Sequence, residues 1–316
     1  MEPSDPAPLD HAARPFLVAG AGGFLGASIV RALVDSGRSV RGLVRSESRG
    51  PRVAAAGGTP VVADVLDLGS LRDAAAGCEA IIHVAANPSE TAGSTDLARR
   101  VRVEGTSNLV SVARAHRVRR LVVGSGYWVY AGSRSPITEE SAVDPRGESR
   151  VNYDAERVGL AANSPGELEV LVVRPGMVYG DGSWFRSVFD AIHAGLYRTI
   201  DGGRNAWSFI SLPDTGRGFR DVLEYGIAGE TYNLTDGHPG AWGEFATYVA
   251  GRVGRPAPTS VSLSIAEQDY GVDVAHHLSA SRSIVPHKLQ ALGWRPIHPS
   301  YREGIDVLLA HMRPSP

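Results

Sequence analysis

The chain has a single cysteine, Cys78, and a single lysine, Lys288, among 316 residues. One thiol cannot close a disulfide within the chain, and a cysteine-built metal cluster is excluded. Cys78 precedes the apolar run Ala80-Ile81-Ile82, so a buried, inert thiol is expected. Lys and Arg total 32, so 31 of the basic residues (32 − 1) are arginines, and any chemistry that needs a lysine has only Lys288. No apolar run reaches the roughly 18 residues of a membrane span. No charged segment followed by an apolar one opens the chain, which suits a cytoplasmic protein. The formal charge is only −2, so neither nucleic acid nor a membrane surface is expected as a partner. The basic run Arg117, Arg119, Arg120 reads as the solvated end of a helix entering a strand. There is no HExxH, and the adjacent His276 and His277 cannot easily face one metal. No GxSxG elbow marks a hydrolase.

What is present is a rhythm of short apolar runs, glycine turns and amphipathic stretches. Residues 1–13 carry Pro3, Pro6 and Pro8 with few apolar side chains, and are expected to form a loose arm. Strands are predicted over 16–19, 40–44, 60–63, 81–84, 120–124 and 170–173. Helices are predicted over 25–36, 95–116 and 152–162. The strands are continuous Val/Ile/Leu runs without alternation, the mark of a parallel sheet buried on both faces. The fold expected is α/β: a Rossmann-type doubly wound parallel sheet with a smaller C-terminal substrate lobe. Residues 14–176 plus about 203–236 would make the nucleotide-binding domain, and about 177–202 plus 237–316 the lobe. Runs 209–212 and 231–234 read as strands returning to the main sheet. Later helices are predicted near 185–194, 242–253 and 301–312.

The strongest local signal is Gly20-Ala21-Gly22-Gly23-Phe24-Leu25-Gly26, between a strand and a helix. Gly20 permits the tight turn, Gly23 lets the backbone approach a pyrophosphate, and Gly26 lets helix and strand pack closely. Phe24 and Leu25 open the helix whose amide end would face the phosphates. The second strand ends Val44-Arg45, without the acid that would hold the ribose hydroxyls of NAD. Arg45 can contact a 2′-phosphate with its planar fork of donors, which favours NADP(H).

With these motifs the chain resembles the extended short-chain dehydrogenase/reductase family of the NAD(P)-dependent epimerase/dehydratase type. Further ordered motifs carry the resemblance: Asp64-Val65, His83-Val84-Ala85-Ala86, Val129-Tyr130, Tyr153 on a helix, and Arg174-Pro175-Gly176-Met177-Val178-Tyr179-Gly180. Gly229-Glu230-Thr231-Tyr232-Asn233-Leu234 and Leu292-Gly293-Trp294-Arg295-Pro296 match its late segments. The resemblance implies that Asp64 and Val65 border the adenine, and that Ala85 and Ala86 line pyrophosphate and ribose. It also implies that Pro175, Gly176 and Val178 wrap the nicotinamide.

The resemblance implies a Ser/Thr, Tyr and Lys catalytic set, and here the chain departs from it. Tyr153-Asp154-Ala155-Glu156-Arg157 keeps the tyrosine but has Arg157 where the lysine belongs. Residues i and i+4 share a helix face, so Tyr153 and Arg157 fall at one site, and the resemblance implies that both also touch the nicotinamide ribose. Arg157 can donate and hold charge, but cannot relay a proton. The position implied for the catalytic hydroxyl is Gly126; Ser125 precedes it and Tyr127 follows, and either is a candidate donor. On the substrate side Asn87, Trp128, Met177, Trp184 and Trp207 are expected near the strand ends, in place of the asparagine and arginine typical of nucleotide-sugar enzymes. Three readings stay open. The first is an NADP(H)-dependent oxidoreductase or epimerase of a small, hydrophobic carbonyl or alcohol metabolite, with Tyr153 as acid/base. The second is a redox-silent cyclase, lyase or dehydratase on the same scaffold. The third is a non-catalytic cofactor sensor. A homodimer is a further expectation.

Overall fold

The computed structural model describes residues 14–86 and 95–312; the expected arm over 1–13 and Asn87 lie outside the described residues. Seven short apolar runs form one sheet. In chain order they are β1 (Phe16–Ala19), β2 (Val40–Val44), β3 (Thr59–Val62), β4 (Ala80–His83), β5 (Arg120–Gly124), β6 (Glu169–Pro175) and β7 (Thr231–Leu234). All pairings in the order β7-β6-β5-β4-β1-β2-β3 are parallel. The order reverses beside β1, which places a ligand crevice at the carboxyl ends of β1 and β4.

Period-two alternation divides the strand side chains between two layers. Phe16, Val18, Ile82, Val122 and Val173 pack with Ile29 and Leu33 of helix α1 (Phe24–Asp35) on one face. Leu17, Ala19, Ile81, Val123 and Val172 pack with Leu109 and Val112 on the other. Cys78 is fully buried in this second layer, where burial pushes its thiol pKa up. Helix α2 (Glu148–Ala161) precedes β6, and helix α3 (Leu212–Tyr225) lies along α1. Gly216 of α3 is pressed on the Ser28 backbone, and the Ser28 hydroxyl donates to Leu212 O at 2.7 Å. Among the described residues no helix is long and apolar enough to cross a membrane.

Two expectations need correction. The run at 209–212 does not rejoin the main sheet: Phe209–Ser211 pairs in parallel with Met177–Tyr179 in a separate two-stranded sheet. The cause is Pro175-Gly176. Gly176 N still donates to Leu234 O of β7, but Met177 N has already turned to Ser208 O, so the chain leaves the sheet there and takes 209–211 with it. Arg120 is not solvated. It is 1% exposed at the start of β5 and pairs with Glu169 at 2.5 Å. Its guanidinium also donates to Leu223 O and Glu224 O, carbonyls at the end of α3, where a cation is favoured.

A third apolar cluster occupies the C-terminal half. Tyr127, Tyr179, Phe185, Trp207, Phe209, Trp242, Phe245 and Tyr301 meet there, drawn from segments after β5 and β6 and from the last helices.

Candidate active site

The glycine loop is shaped by what it cannot carry. Gly20 has φ +95°, and a Cβ on it would stand 2.6 Å from the Ala85 backbone nitrogen. A Cβ on Gly26 would stand 2.7 Å from Ala21 Cα. Gly23 N donates to Gly20 O at 3.0 Å, closing the turn, and Gly23 caps α1 without any side-chain acceptor. The first amides of α1 are therefore left for a ligand. They face a cavity of about 350 Å³. Ten of the residues expected at the cofactor line it: Gly20, Gly23, Phe24, Leu25, Gly26, Arg45, Asp64, Val65, Ala85 and Ala86. Asp64 is fixed by accepting Leu66 N–H at 2.9 Å. Arg49 and Ser183 also line the cavity and were not foreseen. Arg49 carried a signal, a second arginine four residues after Arg45. Ser183 carried none, since it arrives from beyond β6.

Pro175 ends β6, Gly176 and Val178 follow it, and none of the three is among the cavity's lining residues. Tyr153 and Arg157 project from α2. Tyr153 is half-buried against the third apolar cluster; Arg157 is exposed and has no hydrogen bond or ion pair among the described residues. The helix is tied to the cavity wall by Arg102, which is 6% exposed. Its guanidinium donates to Ala85 O at 3.3 Å, to Asn152 Oδ1 at 3.1 Å, and to Gly124 O. Burial pulls the Arg102 pKa down to about 10, against the attraction of Glu156. Glu156, on the inner face of α2, is gripped by Arg174 through two bonds of 2.9 and 2.6 Å.

The other catalytic candidates are engaged elsewhere or buried. The Ser125 hydroxyl donates to Glu156 Oε1, so its proton is engaged away from any substrate. Tyr127 is completely buried in the aromatic cluster, and burial raises its pKa well above the ordinary value. Lys288 pairs with Glu230 and Glu140 at 2.5 and 3.0 Å. Tyr153 with Arg157 is thus the pair left unengaged.

A model of the NAD dependent epimerase/dehydratase family matches residues 16–235. The chain belongs to that family. It is 32% identical to a 3-diazoavenalumate denitrifying reductase from a Streptomyces species, over 92% of this chain and 98% of that one. It is 35% identical to a 4-hydroxy-2-methyl-3-oxo-4-farnesyl-3,4-dihydroquinoline-1-oxide ketoreductase from Stigmatella aurantiaca, over 70% and 68% of the two chains. A solved human epimerase family protein, SDR39U1 with NADPH, superposes with TM-score 0.79 at 20% identity, covering 94% of this chain and all of that one.

Members of this family are NAD(P)-dependent enzymes, and the chain is an extended short-chain dehydrogenase/reductase of that kind. The residues present fit the cofactor: a loop whose glycines admit no Cβ, uncapped amides, and a cavity running to Arg45 and Asp64. Trp128, Met177, Trp184 and Trp207, four of the five expected substrate residues, meet in the third cluster. Trp128 contacts Trp207 edge-on at 5.6 Å, Trp207 lies 4.1 Å from Trp242, and Trp242 5.8 Å from Trp184. Met177 is buried among them. Trp184 Nε1 donates to Val178 O at 2.7 Å. Trp242, His277 and Arg282 join this cluster without having been singled out as substrate residues in the sequence. Only the tertiary contacts bring His277 and Arg282 to Trp128 and Trp242 to Trp207.

Proposed function

We propose that the chain is an NADP(H)-dependent reductase of a small, largely apolar molecule, with Tyr153 as its acid/base. The observation that carries this reading is an unengaged tyrosine–guanidinium pair on a helix pinned to the wall of a dinucleotide cavity through Arg102. When bound, the nicotinamide supplies hydride. Tyr153 then gives its phenolic proton to the substrate oxygen, and the Arg157 charge steadies the phenolate left behind. Arg45 and Arg49 line the adenosine end of the cavity while Glu47 between them does not, which supports a 2′-phosphate there. The aromatic segments carrying Trp128, Met177 and Trp207 support an apolar substrate. Two relatives whose names describe reduction of a farnesylated quinoline oxide and of a diazo acid support it as well.

The test is NADPH oxidation across a panel of aromatic and alkyl carbonyls, with NADPH and NADH binding measured in parallel. NADPH should bind about tenfold tighter than NADH, and Arg45→Ala should erase most of that preference. Tyr153→Phe should lower turnover by about 100-fold or more with cofactor affinity unchanged. Binding of NADPH with no oxidation of it across the panel would instead favour a redox-silent enzyme. The engagement of the Ser125 hydroxyl by Glu156 is the observation on that side.

A further inference from the structure

Beside the Trp128 indole stand two buried hydrogen-bond donors with no acceptor and one buried cation with no counter-charge. Tyr127 is 0% exposed and Trp207 2% exposed, and neither the Tyr127 hydroxyl nor Trp207 Nε1 has a hydrogen-bond partner. A buried polar group left this way costs about 1–3 kcal/mol. Their rings lie 4.4 and 5.6 Å from Trp128. Over the same indole, at 5.3 Å, sits the Arg282 guanidinium, itself only 6% exposed. Arg282 donates to Tyr130 O at 3.0 Å and to His277 O at 3.3 Å. It has no carboxylate within ion-pair distance among the described residues. Asp144, whose field supports its charge, is paired with Arg146 at 2.8 Å. Buried charges are ordinarily matched by an opposite charge, and this cation is not.

We infer that Arg282, the Tyr127 hydroxyl and the Trp207 indole N–H form an anion subsite around Trp128 that takes the carboxylate of an arylalkenyl or arylalkyl acid. This rests on the reductase reading and names the substrate class for it. All three groups are donors at neutral pH: indole N–H can only donate, guanidinium has no acceptor, and a fully buried phenol stays protonated. A carboxylate offers two oxygens with about four acceptor sites, enough for the set. The ligand's apolar portion meets Trp128, whose other ring contact is His277 at 3.8 Å. His277 is half-buried and comes from the helix Val272–Ser279, so entry displaces a side chain and not a strand.

The test uses the full chain saturated with NADPH and calorimetric titration with trans-cinnamate, against methyl cinnamate as the uncharged isostere. Cinnamate should bind about tenfold or more tightly than the ester, and Arg282→Met should erase the difference. Tyr127→Phe should weaken cinnamate about three- to tenfold and leave the ester unchanged. NADPH affinity serves as the folding control in each variant. Should Arg282→Met fail to fold, Tyr127→Phe carries the test, since it removes one oxygen. Equal binding of acid and ester, or a Tyr127→Phe chain that binds cinnamate as the wild type does, overturns the subsite. Selective acid binding with no NADPH oxidation in the carbonyl panel would sink the reductase reading and leave the subsite standing.

Discussion

The cofactor crevice and the aromatic cluster solve opposite problems. At the crevice the chain removes side chains: Gly20, Gly23 and Gly26 let backbone meet backbone, and the cavity is lined by the first amides of α1 and one basic edge. In the aromatic cluster it does the reverse, filling space around Phe245 with Phe209, Trp242 and Tyr301, whose rings lie 4.5–5.2 Å from it. The first region recognises a ligand by what is missing, so a single added methyl is harmful. The second is held together by what is present, so a removed ring is harmful. The lesson is that cofactor affinity and the stability of the C-terminal half should fail independently.

The sharpest break of that pairing is Phe245→Ala. Phe245 is fully buried and stacks on Phe209 with an interplanar angle of 7°. Its truncation should cost about 3–5 kcal/mol of stability, read as a lower denaturation midpoint. Well below that midpoint NADPH affinity should stay within about twofold of wild type, because additivity holds for separated sites. A matching loss of NADPH affinity would show that the two regions are one cooperative unit. Next in size is Gly26→Ala. The new Cβ falls on the Gly20 carbonyl and 2.7 Å from Ala21 Cα, so the turn must open. Overpacking of this kind costs about 1–3 kcal/mol, and NADPH affinity should drop about 100-fold in a fluorescence titration. Unchanged affinity would mean that the loop does not seat the cofactor.

The two regions also differ in how far their sequence could be read. Strands Phe16–Ala19, Val40–Val44 and Arg120–Gly124 fall where the continuous apolar runs place them, since a strand buried on both faces leaves no other pattern. The glycine loop was legible because its constraint is local. Helix α3 was not. Ser211 caps it, accepting Asp214 N–H at 3.1 Å, and Pro213 follows in the first turn, which is a readable start. Its interior holds Gly216 and Gly218, poor helix formers that the packing on Ser28 and Leu234 requires. Arg282 was illegible for a different reason. Its neighbours Tyr130 and Trp128 lie about 150 residues earlier, and no spacing rule reaches that far. The short strand Phe209–Ser211 has the apolar content of a sheet strand, and only the departure at Gly176 tells it where to pair.

The smallest effect tests a group beside the aromatic cluster. Asp236 follows β7 and is 3% exposed, with Oδ1 accepting His238 N–H at 2.8 Å and Oδ2 unpartnered. Burial raises its pKa to about 8, with the carboxylates of Asp214 and Glu303 adding to the rise. A carboxyl whose pKa is higher in the folded chain than in the unfolded one favours folding only while it is protonated in both. From near pH 4 the unfolded chain releases that proton first, so stability falls with rising pH until the folded group also ionises near pH 8. Asp236→Asn keeps an acceptor for His238 and places N–H donors towards the acidic neighbours. It should match the wild type at pH 4 and become the more stable of the two as pH rises to 8, read as a higher Tm. Thermal denaturation of both chains across that range checks the sign. Parallel curves would mean that the carboxyl keeps its ordinary titration in the fold.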